Sequence, residues 1–136
     1  MARSYIRQAE ERVKHAEEAL HGGNYPYVVR QCQEAVELSL KAALRLVGIE
    51  PPKWHDVGPV LRRELHRFPP WFQQHVPFLA RVSRKLRRER ELAMYGDEES
   101  GTPPNELYDY EDAREALEWA KQVLSIVKKL LEEVTR

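Results

Sequence analysis

The chain has 136 residues, 32% of them charged, and a formal net charge of zero. That length fits one domain with a real core, and bulk charge steers no partner, so any nucleic-acid binding must come from local segregation of charge. No run approaches the 18 apolar residues of a membrane span, the charged N-terminus lacks the apolar stretch of a signal peptide, and the single cysteine excludes an internal disulfide. A cytoplasmic location follows as an expectation. Arginine outnumbers lysine by 15 to 7, a weak pointer to a thermophilic source.

Residues 4–21 place Ile6, Ala9, Val13, Ala16 and Leu20 on one narrow seam, which predicts a peripheral amphipathic helix. Gly22-Gly23 ends it, and the short link to Asn24 predicts an antiparallel hairpin. From Tyr25 to Val47 a second helix carries Arg30, Glu34, Glu37, Lys41 and Arg45 on one polar stripe. Val28, Val29, Cys32, Ala35, Val36, Leu40, Ala42, Ala43, Leu46 and Val47 fill the remaining arc of roughly 200°. An arc that wide needs two or three neighbours, which makes this the central helix. Asn24 is expected to cap its first turn, Pro26 is tolerated there, and Gly48 can take the left-handed position after it. Cys32, on the apolar arc, reads as a buried small hydrophobe.

After the Pro-broken link, Asp56, helped by His55, can cap a short third helix with Val57, Val60, Leu61 and Leu65 on its apolar side. A second Pro-rich corner is followed by Trp71, Phe72 and Phe78, bulky aromatics beside a basic helix over residues 77–94. The seam of that helix is Leu79, Val82, Leu86 and Ala93. Glu89 and Arg90 project within about 60° of Leu86, so both lean toward the core, where charge needs a partner or an open cleft. Arg81, Arg84, Lys85, Arg87 and Arg88 form a basic patch on the outer side. The acidic loop Asp97-Glu98-Glu99 is expected to neutralise it, with a polyanion backbone as the other reading. Residues 96–108 lack periodicity and read as a loop of about a dozen residues. Asp109 then caps a last helix whose apolar face runs from Ala113 to Val134. The sum is an all-α, up-and-down antiparallel bundle of four or five helices in one domain, 1–136. The scattered histidines lack metal-ligand spacing, and no cofactor or metal site is expected.

Five stretches in this order resemble the HEPN family (higher eukaryote and prokaryote nucleotide-binding domains). Ala16-Glu17-Glu18-Ala19-Leu20 with Gly23-Asn24-Tyr25 is similar to its first hairpin, and Gln31 to Leu44 to its signature second helix. His55-Asp56-Val57-Gly58 with Leu61 resembles the start of its third helix. Arg90 to Asp97 falls at its functional segment, and Tyr108 to Ala113 with Ala116 and Ala120 resembles its closing helix. The resemblance implies a helical bundle that commonly dimerises, often beside a minimal nucleotidyltransferase in toxin–antitoxin pairs.

Many members are metal-independent ribonucleases, with an Arg followed after four to six residues by a His. Here Arg90 is followed, with four residues between, by Tyr95, and no other arginine has a histidine at the required spacing. A phenol, which ordinarily titrates near about 10, is a poor general base at neutral pH. The expected function is therefore a non-catalytic homodimeric module that binds a nucleotide, another phosphate-bearing ligand, RNA or a nucleotidyltransferase partner. The candidate site is Arg90, Tyr95 and Asp97, with Arg87, Arg88 and Glu89 at its rim. In it Arg90 grips phosphate, Tyr95 stacks or hydrogen-bonds, and Asp97 orients Arg90 or accepts from a ribose. The alternative is a ribonuclease with Tyr95 in the histidine's place. The dimer interface is expected on the basic helix near Arg90, marked by exposed Trp71, Phe72 and Phe78.

Overall fold

The computed structural model describes residues 1–53 and 56–135, and its order is all helix: α1 (Ala2–His21), α2 (Tyr25–Leu46), α3 (Gly58–Arg63), a 3-10 turn at Leu65–Arg67, α4 (Pro70–Gln73), α5 (Val76–Tyr95), α6 (Pro104–Leu107) and α7 (Tyr110–Val134). The only strand-like pairing among the described residues is one antiparallel bridge between Asp97 and Thr102. Four long helices form the predicted bundle. The single-turn helices α4 and α6 lie inside what the sequence offered as a Pro-rich corner and a loop, where segments too short for periodicity hide.

Helix α2 sits at the centre because its wide apolar arc is covered on three sides, by α1, α7 and α5. Val28, Cys32, Ala35, Leu40, Ala42, Ala43 and Leu44 are completely buried there. The hairpin closes at Gly23 (φ 77°), where the Asn24 amide bonds back to the Ala19 carbonyl at 3.0 Å. At the other end Gly48 (φ 82°) lets the Ile49 amide reach the Leu44 carbonyl at 2.9 Å. The Asn24 side chain makes no capping bond. Pro26 occupies the second helical position and has no N–H to offer, which removes one of the two donors an N-cap uses.

Lys121 and Lys128 of α7 reach Glu17 and Glu10 of α1 at 3.6 and 3.0 Å, so α7 runs antiparallel to α1 and in the same direction as α2. Tyr25 and Tyr110 meet edge-to-face at the shared start of α2 and α7. Asp109 caps α7 through a reciprocal box with Asp112, at 2.9 and 3.0 Å. Burial along α7 stops at Leu130, and Val134, assigned to the core face, is 45% exposed because the bundle has ended there. The N-cap of α3 is Val57, and Asp56 ties the helix start from one residue earlier: its Oδ1 accepts from the Gly58 amide at 3.2 Å and from the Ser83 hydroxyl at 2.6 Å. The expected help from His55 lies outside the described residues. A side chain at Gly58 would press on Ala80 of α5, so glycine permits this close crossing.

Of the three aromatics expected as an exposed patch, Phe72 belongs to the core, and Trp71 and Phe78 are half-buried. Phe72 is fully buried, stacked on Phe68 at 4.5 Å, and Trp71 donates its indole N–H to Glu133 at 2.6 Å. Helix α4 turns Phe72 into the core, a rotation that the Pro-rich corner gives no periodicity to reveal.

Candidate functional site

The site is built on the last two turns of α5 and closed by the turn that follows. Gly96 ends the helix at φ 79°, and a Cβ there would collide with the Thr102 carbonyl oxygen, so the chain can turn back only at a glycine. Beyond it the backbones of Asp97 and Thr102 pair at 2.8 and 3.0 Å, and the Ser100 and Thr102 hydroxyls share a 2.7 Å bond. The segment read as a loop is thus an internally bonded turn followed by α6.

Arg87, Arg88, Arg90, Glu91, Met94 and Tyr95 line one hollow of about 530 Å³ on the outer side of α5. Tyr95 is 66% exposed and Met94 38%, large apolar surfaces beside guanidinium groups. Arg87 is tied to α2: its Nη1 lies 3.8 Å from Glu37, whose carboxylate also faces Lys41 at 3.7 Å and accepts from Gln33 at 3.2 Å. Among the described residues Arg88 and Arg90 have no carboxylate within 4.0 Å. Nor do Asp97, Glu98 and Glu99 pair with the basic patch. The acidic turn does not neutralise the arginines by contact; Asp97 instead accepts from the Glu99 amide at 3.1 Å.

Four of the six proposed site residues therefore come together: Arg87, Arg88, Arg90 and Tyr95. Glu89 and Asp97 do not line the hollow. Glu89 is half-buried on the opposite flank, where it accepts a 2.6 Å hydrogen bond from the Tyr108 hydroxyl. Burial and that carboxylate push the Tyr108 phenol far above its ordinary range. Arg90, expected to lean into the core, is exposed. Near its end α5 is covered on the Glu89 flank by Tyr108, whereas among the described residues the Arg90 flank stays exposed. Arc position relative to Leu86 assumed a core on both flanks. Met94 and Glu91 were missed, although Met94 falls one helical turn after Arg90 and so shares its face.

Cys32 is inert by construction: it is fully buried, and desolvation pushes its thiol up to about 12. Among the described residues no group of three or more His, Cys, Asp or Glu could hold a metal ion, and no helix is long and apolar enough to cross a membrane.

The sequence profile of the HEPN domain matches residues 2–130. The chain belongs to the HEPN family. A candidate toxin of Methanocaldococcus jannaschii, MJ1304, is 30% identical over 97% of this chain and 89% of its own. The fold is shared with the crystal structure of TT1696 from Thermus thermophilus, at TM-score 0.75 and 24% identity over 95% of this chain and 97% of that one. ST0689, described as an archaeal HEPN homologue, superposes with TM-score 0.65 at 26% identity, over 95% and 96% of the two chains. In this HEPN domain the hollow is lined by α5 from Arg87 to Tyr95, and four residues separate Arg90 from Tyr95.

Proposed function

We propose that this HEPN protein is a non-catalytic homodimeric module. Its hollow on α5 binds a phosphate-bearing ligand, a nucleotide or a short RNA, within a toxin–antitoxin-type pair whose other member is a minimal nucleotidyltransferase. The likeness to a candidate toxin fits a role of that type. The observation that carries the ligand reading is the unpaired state of Arg88 and Arg90 beside an exposed phenol. Guanidinium groups without a carboxylate partner offer planar, charge-assisted donors to phosphate oxygens, and an exposed aromatic face gives a base somewhere to stack. In this reading Arg90 and Arg88 hold phosphate and Tyr95 stacks. Glu37 holds Arg87 back as a third, tethered cation.

Calorimetric titration with ATP, GTP and short RNAs tests the reading. Arg90→Ala should weaken binding by about 1.5–3 kcal/mol, the worth of a hydrogen bond to a charged group. Tyr95→Ala should weaken it by about 1–3 kcal/mol through lost stacking. No heat with any of the three removes the ligand-binding reading.

The second reading, a ribonuclease using Tyr95 in place of the histidine, is favoured by one observation: Tyr95 and Arg90 line the same hollow. Metal-independent cleavage of structured or single-stranded RNA by the wild type, lost in Arg90→Ala, would overturn the non-catalytic proposal.

A further inference from the structure

On the flank of α5 about 150° round from the hollow lies a second surface feature. Helices α5 and α7 both pack on α2 yet scarcely touch each other, which leaves a groove between them. Its walls read as two facing ladders. On α5 stand Phe78, Lys85 and Glu89, with exposed Arg81 over the Phe78 ring at their edge, and on α7, in antiparallel register, Ile126, Gln122, Trp119 and Glu115. At one end Phe78 and Ile126 border an apolar depression of about 510 Å³ that contains no carboxylate and is edged by Lys121. In the middle the Lys85 ammonium lies 4.8 Å from the Trp119 ring, and the Arg81 guanidinium stands 5.9 Å from Phe78. Neither cation has a carboxylate within 4.0 Å among the described residues. At the far end Glu89, Asp112 and Glu115 line a notch of about 70 Å³ floored by Val29, and Lys85 and Trp119 border it on the side of the basic half. The groove is thus apolar along its floor, basic over one half and acidic at the other end, over about 16 Å from Phe78 to Glu89.

We propose that this groove docks an amphipathic helix of a partner protein. The helix is apolar on its inner face, carries carboxylates against Arg81 and Lys85, and places a cation at the Glu89–Glu115 end. Two near-antiparallel helices with a gap between them offer the seat into which the ridge of a third helix packs. The half-buried faces of Phe78, Trp119 and Ile126 would supply the buried anchors. Lys85 and Arg81 rest on aromatic rings, a weak hold that carboxylates one turn apart would replace with ion pairs. A nucleic-acid strand fits less well, because its phosphates would meet three carboxylates at the acidic end. A second copy fits less well too, since the antiparallel two-fold that matches the charged ends sets Lys85 against its own copy.

The test uses the full chain and two labelled synthetic helices of about 14 residues, long enough to span the groove. Both carry the same leucine face. One bears glutamates against Arg81 and Lys85 with a lysine at the acidic end, and the other has these charges exchanged. By fluorescence anisotropy the first should bind at least about tenfold more tightly. Arg81→Glu with Lys85→Glu, both exposed and checked for helicity by circular dichroism, should reverse that order, and Arg88→Ala with Arg90→Ala should leave it unchanged. Equal affinities, no binding of either helix, or a preference that survives the double reversal overturns the proposal. So does single-stranded oligouridylate binding that Lys85→Glu abolishes, or self-association in sedimentation velocity that Ile126→Glu abolishes. Those two outcomes would reassign the groove to a nucleic acid or to a second copy.

Discussion

Single atoms decide two features of this chain. At Gly96 a methyl group meets a backbone oxygen and a left-handed backbone together, whereas Gly101 (φ 71°) has nothing within 4 Å of where its Cβ would stand. Gly101→Ala should therefore cost only the left-handed strain, about 1–2 kcal/mol, and Gly96→Ala clearly more, as the turn must move off α5. Urea unfolding of both variants checks this, and equal losses would show that the Thr102 carbonyl yields freely. Cys32 makes a pH prediction. Its folded thiol sits at about 12 against an ordinary 9.0, so above pH 9 the unfolded chain sheds a proton that the folded chain keeps. The native state then binds more protons, and stability falls with rising pH by at most about 1.4 kcal/mol per unit until pH 12. Tyr108, shifted the same way, adds to the loss. Cys32→Ala should flatten the alkaline slope between pH 9 and 10.5, and an unchanged slope would mean the thiol is not what titrates. In the folded protein at pH 8 a disulfide reagent should leave Cys32 unmodified until the chain unfolds.

Among the helices, α2 carries the largest share of the core, and its centre is the most sensitive place. Leu40 is completely buried and Val36 is 1% exposed, so Leu40→Ala should destabilise by about 2–5 kcal/mol. Leu40→Asp or Val36→Asp, each burying an unpaired carboxylate, should prevent folding against a total stability of about 5–15 kcal/mol. Soluble, fully helical protein from both aspartate variants would mean that the helix faces the other way. That the face could be chosen from sequence follows from periodicity: α1, α2, α5 and α7 are each long enough for an apolar stripe to repeat, and their predicted seams are buried at Ala9, Ala43, Leu86 and Ala120, while Leu20, Leu46, Val47 and Leu131 at the helix ends are only half-buried. What escaped is what has no period. One-turn α4 turns Phe72 inward, α6 hides in a run of prolines, and Asn24 loses its capping role to a neighbouring Pro26. The site was half legible for the same reason. Helical spacing brings Arg87, Arg90 and Tyr95 toward one hollow, but the exposure of Arg90 depends on Tyr108 covering only the Glu89 flank, a contact made nineteen residues along the chain.

At the scale of the whole molecule the proposed homodimer and the proposed ligand are one question. Phe72 cannot anchor an interface, because it is core, and Trp71 is half-buried with its indole N–H bonded to Glu133. The exposed apolar surface near Arg90 is instead Met94 and Tyr95. A two-fold axis through that surface would bring the hollows of two copies face to face, with two Arg88 and two Arg90 around one space. Like charges so placed repel unless an anion stands between them. Glu89 cannot serve, held as it is by Tyr108 on the far flank, and Asp97 is engaged in its own turn. Among the described residues Glu91 is the one carboxylate lining the hollow, against three arginines in each copy. The charge therefore remains unbalanced in an empty dimer, and a phosphate-bearing ligand that fills the space should favour association as much as association favours the ligand. Sedimentation equilibrium at tens of micromolar, with and without ATP, should show a dimer that ATP tightens and salt loosens in the presence of the ligand. Arg90→Glu should abolish the ATP effect, since it adds the missing anion to the chain itself. A wild type that stays monomeric with and without ATP sinks the composite site. A dimer equally tight in both conditions places the interface on another face and leaves each hollow to act alone.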